Sequence, residues 1–254
     1  MSTILYDTLK AYLVQWDAHP FHQTMKREDM SFKAKMAFAP EWANITMGFK
    51  DFLDYASRPG SDDPVQQHVN DHAEEDADHF PWFFNDLKRL DLENDFLTQQ
   101  SGPKCALRLM TGLYAPKSAI SRELNYRRIE RARNSTSARV RTVLVEIFES
   151  TYAIFAGHIA ELVKREGRWE ELEYFGRIHV EAEMGHSAGS WFEDNKGIEV
   201  EKDMSAEEIK ESLEDINEMM ELCMKLLEFL HQEQLHYDCM EKSKSVNALV
   251  VGDN

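Results

Sequence analysis

Three stretches of the chain carry imidazoles and carboxylates at intervals of three or four residues, the spacing that stacks side chains on one side of a helix. In the first, Val65, His68, His72, Glu75 (or Asp76), His79, Phe83, Leu87 and Leu90 form a stripe that is apolar at both ends and polar in the middle. The second reads His179-x-x-x-Glu183-x-x-His186, following Leu172 and Phe175 on the same face. In the third, Glu149 lies among Val145, Tyr152, Ala153 and Ala156, with Glu146 one turn earlier as the alternative. Ionisable groups on inward faces are expensive unless they are paired or bound to a cation. The set His72, Glu75, His79, Glu149, His179, Glu183 and His186 is therefore a candidate metal site. Mixed imidazole and carboxylate donors suit iron or manganese, and zinc to a lesser extent. Glu183-x-x-His186 is the pattern that di-iron carboxylate bundles use to hold two ions. The competing reading is a buried polar network, or a polar pocket that holds an organic ligand without metal.

These residues need helices to bring them together, and apolar positions recur at three and four along most of the chain. The expected helices are a first one ending before Pro20 and another through Phe32–Leu53, with Pro40 interrupting it or marking its effective start. A third is capped by Asp63 and Pro64, with Gln66 placed for a capping box, and runs to about Leu92 with a kink at Pro81. Further helices are expected from Lys104 to about Arg122, from Ser137 through Lys164 to a stop at Gly167, and from Trp169 to roughly Trp191. Ser205-Ala-Glu-Glu208 is a capping-box signature ahead of a last, long amphipathic helix. The expectation is an all-α fold: one helical domain over residues 1–242, with the metal site between core helices, and a frayed tail over 243–254.

Composition narrows the function. With 29 basic and 46 acidic residues the net charge is −17, which argues against nucleic acid or an anionic membrane as partner. No run of consecutive apolar residues approaches 18, so no bilayer-spanning helix is expected. Only 11 glycines in 254 residues disfavour a glycine-lined nucleotide site. Three scattered cysteines (Cys105, Cys223, Cys239) and a start without a basic leader or apolar core lead to a cytoplasmic expectation. Seven arginines between Arg122 and Arg141 read either as a solvated helix end or as an anion- or partner-docking stripe. The acidic run Glu193–Glu221 could meet that stripe in a homodimer.

The sequence resembles the heme-oxygenase-like superfamily over about residues 30–240, which includes TenA-type thiaminases, the pyrroloquinoline quinone synthesis oxidase and di-iron oxidases. The resemblance rests on His72-Ala-Glu-Glu75-Asp-Ala-Asp-His79, Glu146-Ile-Phe-Glu149 and Tyr174-Phe175-Gly176-Arg-Ile-His179-Val-Glu-Ala-Glu183-Met-Gly-His186. In the di-iron members the first core helix supplies a Glu and a His seven residues apart, the second a Glu, and the third a His-x-x-x-acid-x-x-His set. Carried over, His79, Glu149, His179, Glu183 and His186 match, while His72 stands where the Glu is expected, so His72 or Glu75 fills that place. The resemblance implies a helical bundle, iron (two ions, with manganese as the other choice) and O2-dependent oxidation of a small organic acid, amine or amino acid. No heme is expected, because the histidines cluster with carboxylates instead of standing singly on an apolar wall. A metal-free TenA-like hydrolase with a cysteine nucleophile, and a non-catalytic metabolite-binding protein, are the alternatives on the same fold.

Overall fold

A long, predominantly apolar segment supplies the spine of the molecule. In a computed structural model describing residues 4–76, 79–90, 92, 111–186 and 200–251, it forms a 28-residue helix, Ala138–Arg165. The side chains of residues 183–186 and 245–251 lie outside that description. Numbered in chain order, the helices are α1 (Ile4–Asp17), α2 (Pro20–Thr24), α3 (Phe32–Lys35), α4 (Ala39–Ala56), α5 (Pro64–Glu75) and α6 (Phe80–Arg89). A short 3-10 turn, Pro116–Ser118, leads into α7 (Ala119–Asn134), followed by α8 (Ala138–Arg165), α9 (Arg177–His186) and α10 (Ala206–Val251). No strand occurs among the described residues, so the protein is all-α.

Helix α8 is buried over most of its first three turns, from Ala138 to Phe148, and again at Phe155, Ile159, Leu162 and Val163. Helices α10, α5, α1 and α7 pack around it, and α4 lies along α7. Aromatic side chains fill the centre: Phe155 stacks on Trp42 at 4.2 Å and on Phe21 at 5.7 Å between ring centroids. By length and composition α8 is apolar enough to cross a bilayer, and just over half of its most apolar window (56 %) is buried by its neighbours, as a bundle's core helix requires.

The caps explain most boundaries. Ser137 Oγ accepts from Arg139 N at the start of α8. At its end Gly167 adopts φ = +69°, and Arg168 N donates to Val163 O, closing the helix in a left-handed turn. Ser205 and Glu208 cap each other ahead of α10, as the signature predicts. Pro40 marks the true start of α4, and Asp63 caps α5.

Five features differ from expectation. Gln66 makes no capping box; it turns inward and its amide bonds Ala56 O and Arg141 Nε. The helix after Pro64 is not kinked at Pro81 but ends at Glu75, and Pro81 opens a separate helix, α6. The segment from Trp169 is a series of bends, and α9 begins only at Arg177. The last helix continues to Val251 where a frayed tail from about Lys242 was expected. Of the helix expected over Lys104–Arg122, residues 104–110 lie outside the described residues, and Pro116 breaks the remainder before α7.

Candidate metal centre

Helices α5, α8 and α9, with the start of α6, bring the candidate donors together. On α5 the buried positions are Gln66, Val69 and Ala73, one residue on from the expected stripe, which turns His68 and Glu75 to the exposed side. Asp76, the C-cap residue of α5, follows Ala73 on the inward face, and its side chain is 2 % exposed. His72, four residues before it, points its Nε2 to within 3.2 Å of both Asp76 Oδ2 and Glu149 Oε1. One ligand atom from each of His72, Asp76 and Glu149 falls within 4.8 Å of the other two. Metal–ligand bonds of ~2.0–2.2 Å set neighbouring donors roughly 3–4 Å apart, so these three can close on one ion with small side-chain shifts. Glu146, buried one turn earlier on α8, accepts from Ser150 Oγ and is not part of this group.

A pair of imidazoles adjoins the three. His79 Nδ1 lies 3.9 Å from Asp76 Oδ1 and 3.1 Å from His179 Nε2. His79 stacks on Trp82 at 4.8 Å, and His179, 2 % exposed, stacks on Tyr174 at 4.3 Å. His179 Nδ1 is 3.0 Å from the Tyr174 carbonyl and 2.8 Å from Tyr152 Oη. A carbonyl only accepts, so Nδ1 carries a hydrogen, and Nε2 faces His79. This is the outer-shell arrangement that fixes the tautomer of a ligating histidine. Glu183 and His186 sit on the backbone of α9 beyond His179, but their side chains lie outside the described residues.

The late start of α9 has a specific cause. Asp86 on α6 is fully buried, and its carboxylate accepts from the backbone N–H groups of Glu173, Tyr174 and Phe175 at 2.8–2.9 Å. Those three amides therefore point at α6 rather than along a helix. At Gly176 a Cβ would come within 2.0 Å of Leu172 O, so the bend closes only around a residue without a side chain. Burial raises the Asp86 carboxyl above its ordinary range, against the pull of the three amides and Arg89. The bend delivers the Tyr174 carbonyl and ring to His179.

Asp76, His79, Glu149 and His179 line a cavity whose other walls include Trp42, Phe49, Arg128, Phe148, Tyr152 and Cys223. Its free volume is about 80 Å³. Burial pushes the Cys223 thiol up to about 12, which keeps it protonated and a poor nucleophile. Cys239 is exposed on α10, and Cys105 lies outside the described residues.

The arginine stripe resolves into internal contacts. Arg131 pairs with Asp215 and Glu218, and Arg127 with Glu218 and Glu130, so part of the acidic run meets it within one chain. Arg141 bonds Gln66 and the Ser135 carbonyl, and Arg128 faces the cavity. Sequence reasoning left Glu75 or Asp76 open on this stripe and carried Glu75 into the ligand set, one residue out of phase, and it missed Arg128 because charge alone reads as solvent-facing. Tyr152 carried a usable signal, standing three residues after Glu149 on the same face. Comparison with known protein families finds no family model that matches the chain, and comparison with curated proteins finds no match.

Proposed function

We propose that this protein is a metal-dependent oxidoreductase of heme-oxygenase-like fold, a non-heme iron oxidase or oxygenase that uses O2 on a small organic acid, amine or amino acid. The observation that carries this reading is the convergence of His72, Asp76 and Glu149 on one point, beside His79 and His179, at the wall of an aromatic-lined cavity. The resemblance of three sequence motifs to the di-iron branch supports iron, with two ions per chain and Glu183 and His186 completing the set.

Iron held by His72, Asp76 and Glu149 would supply the electrons that O2 reduction needs. The chain's own residues do the rest. Asp76 and Glu149 would neutralise the cationic charge that the apolar surroundings could not, while His72 and His179 would donate lone pairs without adding charge. The Tyr174 carbonyl holds His179 in the required tautomer. Tyr152 Oη, 2.8 Å from His179, sets a hydroxyl on the cavity wall where a proton can be held or passed. Trp42, Phe148 and their neighbours give the chamber an apolar wall. Cys223, protonated and buried, is a poor candidate for the nucleophile of a cysteine hydrolase.

The test is metal analysis of protein purified anaerobically with iron, followed by O2 uptake with candidate substrates. The expected content is about two irons per chain. Asp76→Ala should weaken iron retention roughly tenfold or more, and Glu75→Ala should leave it unchanged. Negligible metal in the wild-type protein overturns the proposal, as does a Glu75→Ala loss without an Asp76→Ala loss. A loaded, reduced protein that consumes no O2 with any candidate points instead to a metabolite-binding role.

A further inference from the structure

The wall of the cavity holds a buried cation that forms no ion pair among the described residues. Arg128 on α7 is 1 % exposed. One of its terminal nitrogens donates to Ile45 O at 2.7 Å, while its buried Nε has no hydrogen-bond partner. Among the described residues no carboxylate lies within the 4.0 Å of an ion pair. The guanidinium instead rests among three rings, 5.3 Å from the centroids of Phe49 and Phe148 and 5.7 Å from that of Phe52. Such contacts offset part of the desolvation of a buried cation, and Asp51 acts on it only from beyond ion-pair distance. Burial lowers Arg128 to about 9, which leaves it cationic at neutral pH.

The neighbours say what would complete the site. An arginine edge with an unused Nε–H matches a planar carboxylate, which it can bind through two parallel hydrogen bonds once the packing that encloses Nε gives way. Phe148 precedes Glu149 directly in the chain and touches the guanidinium, so a ligand anchored at Arg128 extends along an aromatic wall toward the acidic and imidazole groups. The free volume, about 80 Å³, holds a handful of waters at the ~10–15 Å³ each requires, or a ligand with about that many non-hydrogen atoms.

We propose that Arg128 is the anion-recognition residue of the cavity, and that the ligand is a short monocarboxylate seated with its carboxylate on the Arg128 guanidinium and its carbon chain against Phe148 and Trp42. This deepens the function proposed above and rests on the same cavity being the substrate site. It narrows the substrate from acids, amines or amino acids to a small carboxylate.

Butyrate and butyramide have the same shape and differ in charge, so calorimetric titration of both into chelator-treated protein isolates the anion. Butyrate is expected to bind with a millimolar or tighter Kd, and butyramide at least tenfold more weakly. Arg128→Gln should bring butyrate down to the level of butyramide, and Arg128→Lys should recover part of the difference; circular dichroism checks that both variants fold. Equal binding of the two ligands by the wild-type protein overturns the proposal, as does no butyrate binding, and neither result depends on a variant folding. Undiminished butyrate affinity in a folded Arg128→Gln protein overturns it too. Metal content is read separately on the same preparations. Failed metal binding with intact butyrate recognition refutes only the oxidoreductase reading, and the reverse refutes only this one.

Discussion

Replacing Asp86 tests whether a single buried carboxylate shapes the approach to His179. In Asp86→Asn the side chain keeps its outline, but one acceptor oxygen becomes a donor. If the remaining oxygen stays on Tyr174 N and Phe175 N, the Glu173 N–H, now accepted at 2.8 Å, faces an amide hydrogen. An orphaned buried amide costs ~1–3 kcal/mol, and weakening the two retained charge-assisted bonds adds ~1 kcal/mol. Against this, the variant no longer buries a charge, and the upward shift of the Asp86 carboxyl shows that this burial is unfavourable. The net expectation is a loss of about 2 kcal/mol for Asn. Asp86→Ala, which orphans all three amides, should lose about 4 kcal/mol. With a urea m-value of ~2 kcal/mol/M, the Asn variant's unfolding midpoint falls by about 1 M. Iron retention should fall with it, because the bend that fixes the Tyr174 carbonyl loosens. Urea midpoints within ~0.2 M of wild type for both variants would refute the reasoning.

Gly48→Ala should destabilise by about 1–2 kcal/mol despite alanine's better helix propensity, because its Cβ would lie 2.5 Å from Asn125 Nδ2, which bonds Asn44 O. Asn125→Ala in the same chain should relieve most of that loss, a non-additivity visible in thermal melts. His22 is fully buried without a partner for either ring nitrogen, and burial with the neighbouring His158 lowers it to about 3. The unfolded chain therefore takes up a proton that the folded one refuses. Stability is complete above pH 6.5 and is lost as pH falls toward 3, by up to about 5 kcal/mol. His22→Leu should flatten that acid limb in pH-dependent denaturation. Burial pushes Asp215 up to about 7 even with Arg131 Nε at 3.2 Å. This is the opposite sign: its contribution is full below pH 3.8 and is lost as pH rises through 7. Asp215→Asn should melt higher than wild type at pH 8, with the advantage shrinking toward pH 4.

The helical class and most boundaries were legible because they depend on neighbours in sequence: Asp63 before Pro64, Ser205 with Glu208, Gly167 after Lys164. What sequence could not give was phase and long-range pairing. Glu75 and Asp76 are adjacent carboxylates at the end of a short helix, and the choice between them was made by Gln66, which binds Ala56 O and Arg141 Nε and so sets the rotation of α5. The bend before α9 was invisible for a similar reason. Leu172, Tyr174 and Phe175 carry helical spacing, and it takes Asp86, nearly ninety residues earlier, to pull their amides away. Arg128 looked like one cation in a charged stripe until α4 and α8 closed over it.

Helix α10 bears on the order in which the protein can assemble. It contributes Cys223 and Leu226 to the cavity, and Asn217 on it bonds Tyr12 at the far end of the chain. Glu201, just ahead of it, accepts from the amides of Ile4 and Leu5. A chain emerging from the ribosome thus presents α1 long before its partners exist, and the chamber has no complete wall until residues beyond 226 are released. Contacts spanning some two hundred residues carry a large loop-closure entropy, so closure should come late and slowly for an all-helical protein. Ligand or metal supplied during synthesis would find a finished site only at that last step.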